Sequence, residues 1–120
     1  MKKGILVVDD DQAVCNMLEK FLSKKGYQVI TALSGEEGIK KVEEERPHMV
    51  LLDIKMPDID GVETLKRIRE IDKETGIVMI TAVKDDEVGK RCIELGAYDY
   101  ITKPLNLEYL ENVLIVKLLG

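Results

Sequence analysis

The sequence predicts an α/β fold in which a parallel sheet carries helices on both faces. Five short apolar runs alternate with five amphipathic stretches along the 120 residues. Several of these runs are continuously apolar, which is typical of strands buried on both faces. Right-handed crossovers between parallel strands then place helices on both sides. The length fits one domain, residues 1–120, and leaves no room for a second.

The first half of the chain contains three predicted strands separated by two helices. Apolar residues at helical spacing, beginning with Val14, follow the first strand, and Gly26 ends that helix. Ser34, with Glu37 three residues later, forms a capping box that opens the second helix, and Arg46-Pro47 closes it. The predicted strands are residues 5–8, 27–32 and 49–52.

The second half contains two further strands and three helices. Asp60 and Glu63 cap the third helix, which follows a loop over residues 56–61. The fourth helix has Cys92 on its apolar face and ends at Gly96. Asn106 caps a last helix that runs to the end of the chain. The predicted strands are residues 77–81 and 98–101.

The charge balance and the cysteine pattern argue against two classes of function. The formal net charge is -5 and the sequence pI is about 5.0, so we expect no direct nucleic-acid binding by this domain. Cys15 and Cys92 form no CxxC pair and His48 is near neither, so a zinc site lacks ligands. We interpret both cysteines as buried thiols, which suits a reducing compartment.

The apolar segments are too short for a secretion signal or a membrane span. The apolar run after Lys2-Lys3 stops at three aspartates, whereas a signal peptide requires a longer apolar region. No stretch approaches the roughly 20 apolar residues of a transmembrane helix. We therefore expect a cytoplasmic protein without a membrane partner.

Chemically active residue types stand where four of the predicted strands end. They are Asp9-Asp10-Asp11, Asp53, Thr81-Ala82 and Lys103-Pro104. Each has an ordinary explanation when taken alone, since Asp11 suits a helix N-cap and a threonine suits a strand. The carboxyl ends of parallel strands, however, lie along one rim, where ligands bind in such sheets. The joint placement therefore indicates a functional site.

The acidic residues of this rim favour a hard cation. Carboxylates that converge at strand ends repel one another, and a stable domain tolerates them when a cation compensates their charge. Oxygen ligands without histidine or cysteine favour Mg2+ over Zn2+, with Mn2+ as a substitute. Because Mg2+ retains waters beside one or two carboxylates, it leaves positions open for a phosphoryl group.

In the order and spacing of these residues, the chain resembles the receiver domains of two-component response regulators, including the chemotaxis regulator. The resemblance covers essentially the whole chain and implies a flavodoxin-like, doubly wound sheet with strand order 2-1-3-4-5. The matching segments are Asp9-Asp10, Asp53-Ile54-Lys55-Met56-Pro57, Asp60-Gly61, Thr81-Ala82, Tyr100 and Lys103-Pro104.

The resemblance implies that Asp53 is the phosphorylation site. Its carboxylate would attack the phosphorus of a phosphohistidine on a sensor histidine kinase and form an aspartyl phosphate. Asp10 would ligate Mg2+ directly and Asp9 directly or through water. Asp53 and the main-chain carbonyl of Lys55 would complete the protein ligands.

The resemblance also implies roles for the later rim residues. Lys103 would pair with a phosphoryl oxygen and Thr81 would donate a hydrogen bond to another. Lys103-Pro104 would carry a cis peptide bond. The side chains of Lys55 and Val83 would tune the lifetime of the phosphate.

The implied output is a conformational switch. Thr81 would move toward the phosphoryl group, and Tyr100 would turn into the space that it leaves. The face formed by the fourth helix, fifth strand and fifth helix would then change shape and control an output partner or domain. Such a domain is a signalling module that catalyses only its own phosphorylation and dephosphorylation.

The last helix is apolar on more than one side, through residues 113–116 and 118–119. Part of it packs on the sheet, and the remainder suggests a homodimer face, a partner surface or a connection to an effector domain. Residues 96–100 and 102–105 are similar to receivers attached to transcription activators. We therefore expect a receiver taken from a longer regulator of transcription.

Three other interpretations stay open. A haloacid-dehalogenase-like phosphatase also forms an aspartyl phosphate with Mg2+, but it requires an acid where Lys55 stands. A flavodoxin-like electron carrier requires a Ser/Thr/Gly-rich phosphate loop where Asp9-Asp10-Asp11 stands. The third is a receiver-like interaction module that works without phosphorylation, against which the complete set of rim residues argues.

Overall fold

A computed structural model describes residues 4–119 and shows five strands alternating with five helices. All strand pairs are parallel, and the sheet has the order β2-β1-β3-β4-β5. The predicted fold class and strand order are thus confirmed. The elements are β1 Gly4–Val8, α1 Gln12–Lys24, β2 Gln28–Ala32, α2 Gly35–Glu45, β3 Met49–Leu52, α3 Gly61–Ile71, β4 Gly76–Thr81, α4 Asp86–Glu94, β5 Asp99–Thr102 and α5 Leu107–Leu119.

The predicted strand boundaries differ from the observed ones by at most one residue. The fifth strand is displaced by one residue relative to the predicted range, beginning at Asp99. Tyr98 still donates its backbone N–H to the Ile77 carbonyl at 2.7 Å. The difference therefore lies at the end of the hydrogen-bonded ladder and leaves its register unchanged.

The core consists of two apolar layers, one on each face of the sheet. One layer packs α2, α3 and α4 through residues such as Val42, Leu65 and Cys92. The other packs α1 and α5 through residues such as Leu18 and Leu110. Cys15 and Cys92 are both buried free thiols, as predicted, and belong to opposite layers.

The helix ends follow the predicted capping residues. Asp11, Ser34 and Asp60 accept hydrogen bonds from backbone N–H groups in the first turns of α1, α2 and α3. Asn106 Oδ1 accepts from the N–H of Tyr109 at 3.0 Å in α5. Each cap satisfies a donor that has no partner inside its helix, and so fixes where the helix begins.

Helix α5 has apolar side chains on both its buried and its exposed sides. Leu110 and Leu114 are buried, whereas Val116 is 61% exposed and Ile115 and Tyr109 are also exposed. None of the helices within residues 4–119 has the length and apolar character needed to cross a membrane. The lysines Lys2-Lys3 and the side chain of Leu119, both considered above, lie outside the description, as does Gly120.

Candidate functional site

The rim residues meet because the strands that carry them are adjacent and in register. Val8 of β1 is paired with Leu52 of β3, so the residues that follow them, Asp9 and Asp53, are neighbours. The N–H of Asp53 donates to the Val8 carbonyl at 3.0 Å and extends the ladder to the site. The sheet itself therefore fixes the distance between these two aspartates.

Three carboxylates converge at this rim. Asp9, Asp10 and Asp53 each offer an oxygen atom, and these oxygens lie within 4.8 Å of one another. Asp9 is 3% exposed and Asp53 is 7% exposed, whereas Asp10 faces solvent. An all-oxygen, strongly negative cluster with one open side fits a hard divalent cation that retains part of its water shell.

Lys103 bridges the two buried carboxylates. Its Nζ lies 3.0 Å from Asp9 Oδ2 and 3.6 Å from Asp53 Oδ2. Partial burial disfavours the ammonium, but the hydrogen bond to Asp9 and the charge of Asp53 outweigh it and raise the pKa of Lys103 above its usual value. The lysine is thus a fixed positive charge directly beside the candidate acceptor.

The remaining oxygens of the two buried aspartates are held by backbone N–H groups. Asp53 Oδ1 accepts from the N–H of Ile54 at 2.8 Å. Asp9 Oδ1 accepts from the N–H of Asp11 at 2.9 Å. Because both side chains are held at one oxygen, each presents its Oδ2 atom to Lys103 in a defined direction.

Thr81 and Tyr100 are both tied to the backbone of Val83. Thr81 is fully buried at the end of β4, and its Oγ1 accepts from the N–H of Val83 at 3.2 Å. The hydroxyl of Tyr100 donates to the Val83 carbonyl at 2.6 Å. Burial, more than nearby charges, raises the pKa of Tyr100 above its usual value, so this hydroxyl stays a donor.

Two further predicted residues frame the site. Lys55 lies two positions after Asp53 with its side chain exposed to solvent. The peptide bond between Lys103 and Pro104 is cis. Pro104 is the second residue of the connection from β5 to α5, and it is exposed.

One contact beside the site was not predicted from the sequence. Asp58 accepts hydrogen bonds from the N–H groups of Gly35 and Glu36, which begin α2. The only sequence signal is an acidic residue in a proline-containing loop, and that signal does not name a partner more than 20 residues away.

Comparison with known proteins agrees with this geometry. A family model described as "Response regulator receiver domain" matches residues 5–115. The chain belongs to this family. Receiver domains bind Mg2+ at an acidic pocket, and this member has an acidic cluster formed by Asp9, Asp10 and Asp53. Receiver domains interact in general with histidine kinases and output domains.

Two curated relatives place this receiver domain among regulators of different length. It is 46% identical over 107 residues to the alkaline phosphatase synthesis transcriptional regulatory protein PhoP of Bacillus subtilis, covering 88% of this chain and 44% of PhoP. It is 35% identical over 112 residues to sporulation initiation phosphotransferase F of the same organism, covering 93% of this chain and 90% of that protein. The chain thus spans less than half of the first and most of the second.

A solved structure of a receiver domain shows the same fold. The CheX-CheY-BeF3-Mg+2 complex from Borrelia burgdorferi superposes with a TM-score of 0.93 at 30% identity. The superposition covers 98% of this chain and 90% of that one.

Proposed function

We propose that this receiver domain, over residues 1–120, accepts a phosphoryl group on Asp53 from the phosphohistidine of a sensor histidine kinase. The observation that carries the proposal is the position of Lys103, whose ammonium lies within 4 Å of both buried carboxylates. A cation beside the acceptor stabilises the negative charge that collects on phosphoryl oxygens during transfer. Asp53 is 7% exposed and directly follows β3, at the carboxyl end of the sheet where ligands bind in parallel sheets.

The transfer is a direct substitution at phosphorus. A carboxylate oxygen of Asp53 forms the new O–P bond while the N–P bond of the phosphohistidine breaks. The bonding electron pair leaves with the imidazole nitrogen. The bond from the N–H of Ile54 to Asp53 Oδ1 holds the carboxylate in one orientation during the attack.

The carboxylates of Asp9, Asp10 and Asp53, with the main-chain carbonyl of Lys55, would hold the Mg2+ ion. When bound, Mg2+ offsets charge on the phosphoryl oxygens, and Mn2+ is proposed as a substitute. Lys103 then exchanges a carboxylate contact for a phosphoryl oxygen, which it binds as a compact point charge.

The proposed switch starts from Thr81 and Tyr100. Thr81 moves toward the phosphoryl group so that its hydroxyl can donate to a phosphoryl oxygen, and this movement draws the hydroxyl away from the N–H of Val83, which donates to it in this structure. Tyr100 then gives up its bond to the Val83 carbonyl and rotates inward. The α4–β5–α5 face changes shape as a result. The lifetime of the phosphate depends on the Lys55 and Val83 side chains.

The proposed output is regulation of transcription through a domain or partner that contacts the α4–β5–α5 face. PhoP is named as a transcriptional regulatory protein and is about twice as long as this chain, which supports a longer regulator. The exposed apolar residues of α5 offer the same face to a second copy of the chain. The free thiols of Cys15 and Cys92 support a reducing, cytoplasmic location.

The test is the intact mass of the protein after incubation with acetyl phosphate and Mg2+, for wild type and Asp53→Asn. We expect a gain of one phosphoryl group in the wild type only. Asp72→Asn is the control and should label normally, because Asp72 stands before β4 begins, at the end of the sheet opposite the rim.

A folded wild type that binds Mg2+ and gains no mass from acetyl phosphate or from a phosphohistidine donor would contradict the proposal. That result would favour a receiver-like interaction module that works without phosphorylation. Steady release of inorganic phosphate from varied phosphomonoesters would instead favour a phosphatase.

A further inference from the structure

Asp58 fastens the segment after the candidate acceptor to the beginning of α2. We call residues 54–59 the acceptor loop. Asp58 Oδ1 accepts from the N–H of Gly35 at 3.1 Å, and Oδ2 accepts from the N–H of Glu36 at 2.9 Å. The first N–H groups of a helix have no partner within it, so both bonds satisfy donors that would otherwise need water.

The contact is packed as well as hydrogen bonded. A Cβ atom on Gly35 would lie 2.5 Å from side-chain atoms of both Ile59 and Thr64. The start of α2 therefore touches the acceptor loop and the first turn of α3 directly. The bond from the Glu36 N–H is the main reason that the pKa of Asp58 lies below its usual value, so Asp58 is ionised at neutral pH.

The start of α2 is in turn fixed to the other half of the acidic cluster. The carbonyl of Ala32, the last residue of β2, accepts from the N–H of Asp9 at 3.1 Å. Only two residues separate Ala32 from Gly35. A short path thus runs from Asp9 through the end of β2 to Asp58, in addition to the β1–β3 ladder.

We propose that Asp58 is a positioning residue that sets the distance between the acceptor loop and the carboxylates of Asp9 and Asp10. This inference rests on the proposed function, because the position of the acceptor loop affects Mg2+ binding through the main-chain carbonyl of Lys55, its proposed Mg2+ ligand. Without Asp58, the loop is still held by buried Ile54, by Ile59 packed on Gly35 and by the Asp60 cap, but its exposed residue 58 no longer bonds to α2. The expected defect is weaker Mg2+ binding with an unchanged rate once Mg2+ saturates the site.

The test compares four proteins: wild type, Asp58→Ala, Asp58→Asn and Ser34→Ala. Ser34→Ala is the matched control, because it removes a cap from the same helix end and does not touch the acceptor loop. The melting temperature is measured against Mg2+ concentration, since a ligand of the folded state raises it by mass action. The rate of labelling by acetyl phosphate is measured over the same Mg2+ range.

We expect Asp58→Ala to raise the half-saturating Mg2+ concentration about tenfold, the lower end of the effect of removing groups that orient metal ligands. Asp58→Asn, which retains one acceptor oxygen, should fall between Asp58→Ala and wild type. Ser34→Ala should lower the melting temperature without changing the Mg2+ dependence. The labelling rate at saturating Mg2+ should be the same in all four proteins.

Three results would overturn the positioning role. An unchanged Mg2+ dependence in Asp58→Ala would show that the loop keeps its place without the bonds. Equal defects in Asp58→Ala and Asp58→Asn would assign the effect to lost charge, and equal defects in Ser34→Ala would assign it to helix stability. Failure of the proposed function itself is distinguishable, because the wild type would then show no Mg2+-dependent melting or no labelling.

Discussion

Replacing Lys103 with methionine should destabilise the metal-free protein, and Mg2+ should restore much of the loss. Lys103 is the cation that compensates Asp9 and Asp53, which are 3% and 7% exposed. Methionine keeps much of the side-chain volume and removes the charge, leaving two buried carboxylates together. The variant thus isolates the electrostatic contribution of the bridge.

The magnitude follows from the burial of the bridge. Removing one partner of a buried ion pair costs about 3–5 kcal/mol. The side chain of Lys103 is 25% exposed, so solvent screening reduces the estimate to about 2 kcal/mol. For a domain of 120 residues, this corresponds to a melting temperature about 8 °C lower.

The stabilisation also has a defined pH window. The pKa of Lys103 is raised above its ordinary value of 10.5 in the folded protein. A raised lysine pKa contributes stability that is fully present below the unfolded value and is lost as the pH rises through the folded value. The difference between wild type and Lys103→Met should therefore be constant from pH 7 to 9 and shrink above about pH 10.5.

The assay is thermal unfolding with a chelator and with saturating Mg2+, and Lys66→Met is the matched control. Lys66 pairs with Glu63 at 3.9 Å on the surface, so its removal should change stability by less than about 1 kcal/mol. A Lys103→Met protein that melts with the wild type in chelator would refute the reasoning. So would an equal stabilisation of both proteins by Mg2+.

Three further perturbations probe the same region. Asp10→Asn relieves repulsion within the acidic cluster, so it should raise the melting temperature without metal by about 2–4 °C and abolish labelling by acetyl phosphate. An unchanged or lower melting temperature in chelator would argue against repulsion among these carboxylates. Gly61→Ala places a Cβ against the backbone carbonyl of Asp53, which is held in place by the chain, so the free energy of unfolding in urea should fall by about 1–3 kcal/mol. An unfolding free energy equal to that of the wild type would contradict this packing. Burial, with the nearby charge of Asp9, raises the pKa of the Cys15 thiol to about 11. Iodoacetamide at pH 8 should therefore leave Cys15 unmodified in the folded protein and alkylate it in urea, whereas rapid labelling of the folded protein would show that the thiol is accessible.

The sequence predicts the fold and the membership of the acidic cluster because both depend on local patterns. Continuous apolar runs locate the strands, and the residues at their carboxyl ends must share one rim in a parallel sheet. Asp9, Asp10 and Asp53 could therefore be grouped without coordinates, and the structure brings their oxygens within 4.8 Å. The caps Asp11, Ser34 and Asp60 could be predicted for the same reason, since each acts on N–H groups a few residues away.

The contacts between these elements could not be predicted in the same way. The pairing of Lys103 with Asp9 spans 94 residues, and the sequence places both at the rim without saying which carboxylate the lysine chooses. The bonds from Asp58 to the start of α2 depend on how two loops approach each other, which no periodicity records. The convergence of Thr81 and Tyr100 on Val83 depends on the same kind of approach.

The division of the core into two layers has a consequence for how far a disturbance at Tyr100 can spread. Tyr100 packs against the layer that contains α2, α3 and α4, and the β-sheet backbone separates it from the layer around Leu18 and Leu110. Repacking of the first layer leaves the apolar contacts of the second intact, because buried side chains on opposite faces of a sheet do not touch. The α4 part of the α4–β5–α5 face can therefore repack while the buried contacts of α1 and α5 hold the sheet together, so local opening and global unfolding draw on different sets of contacts.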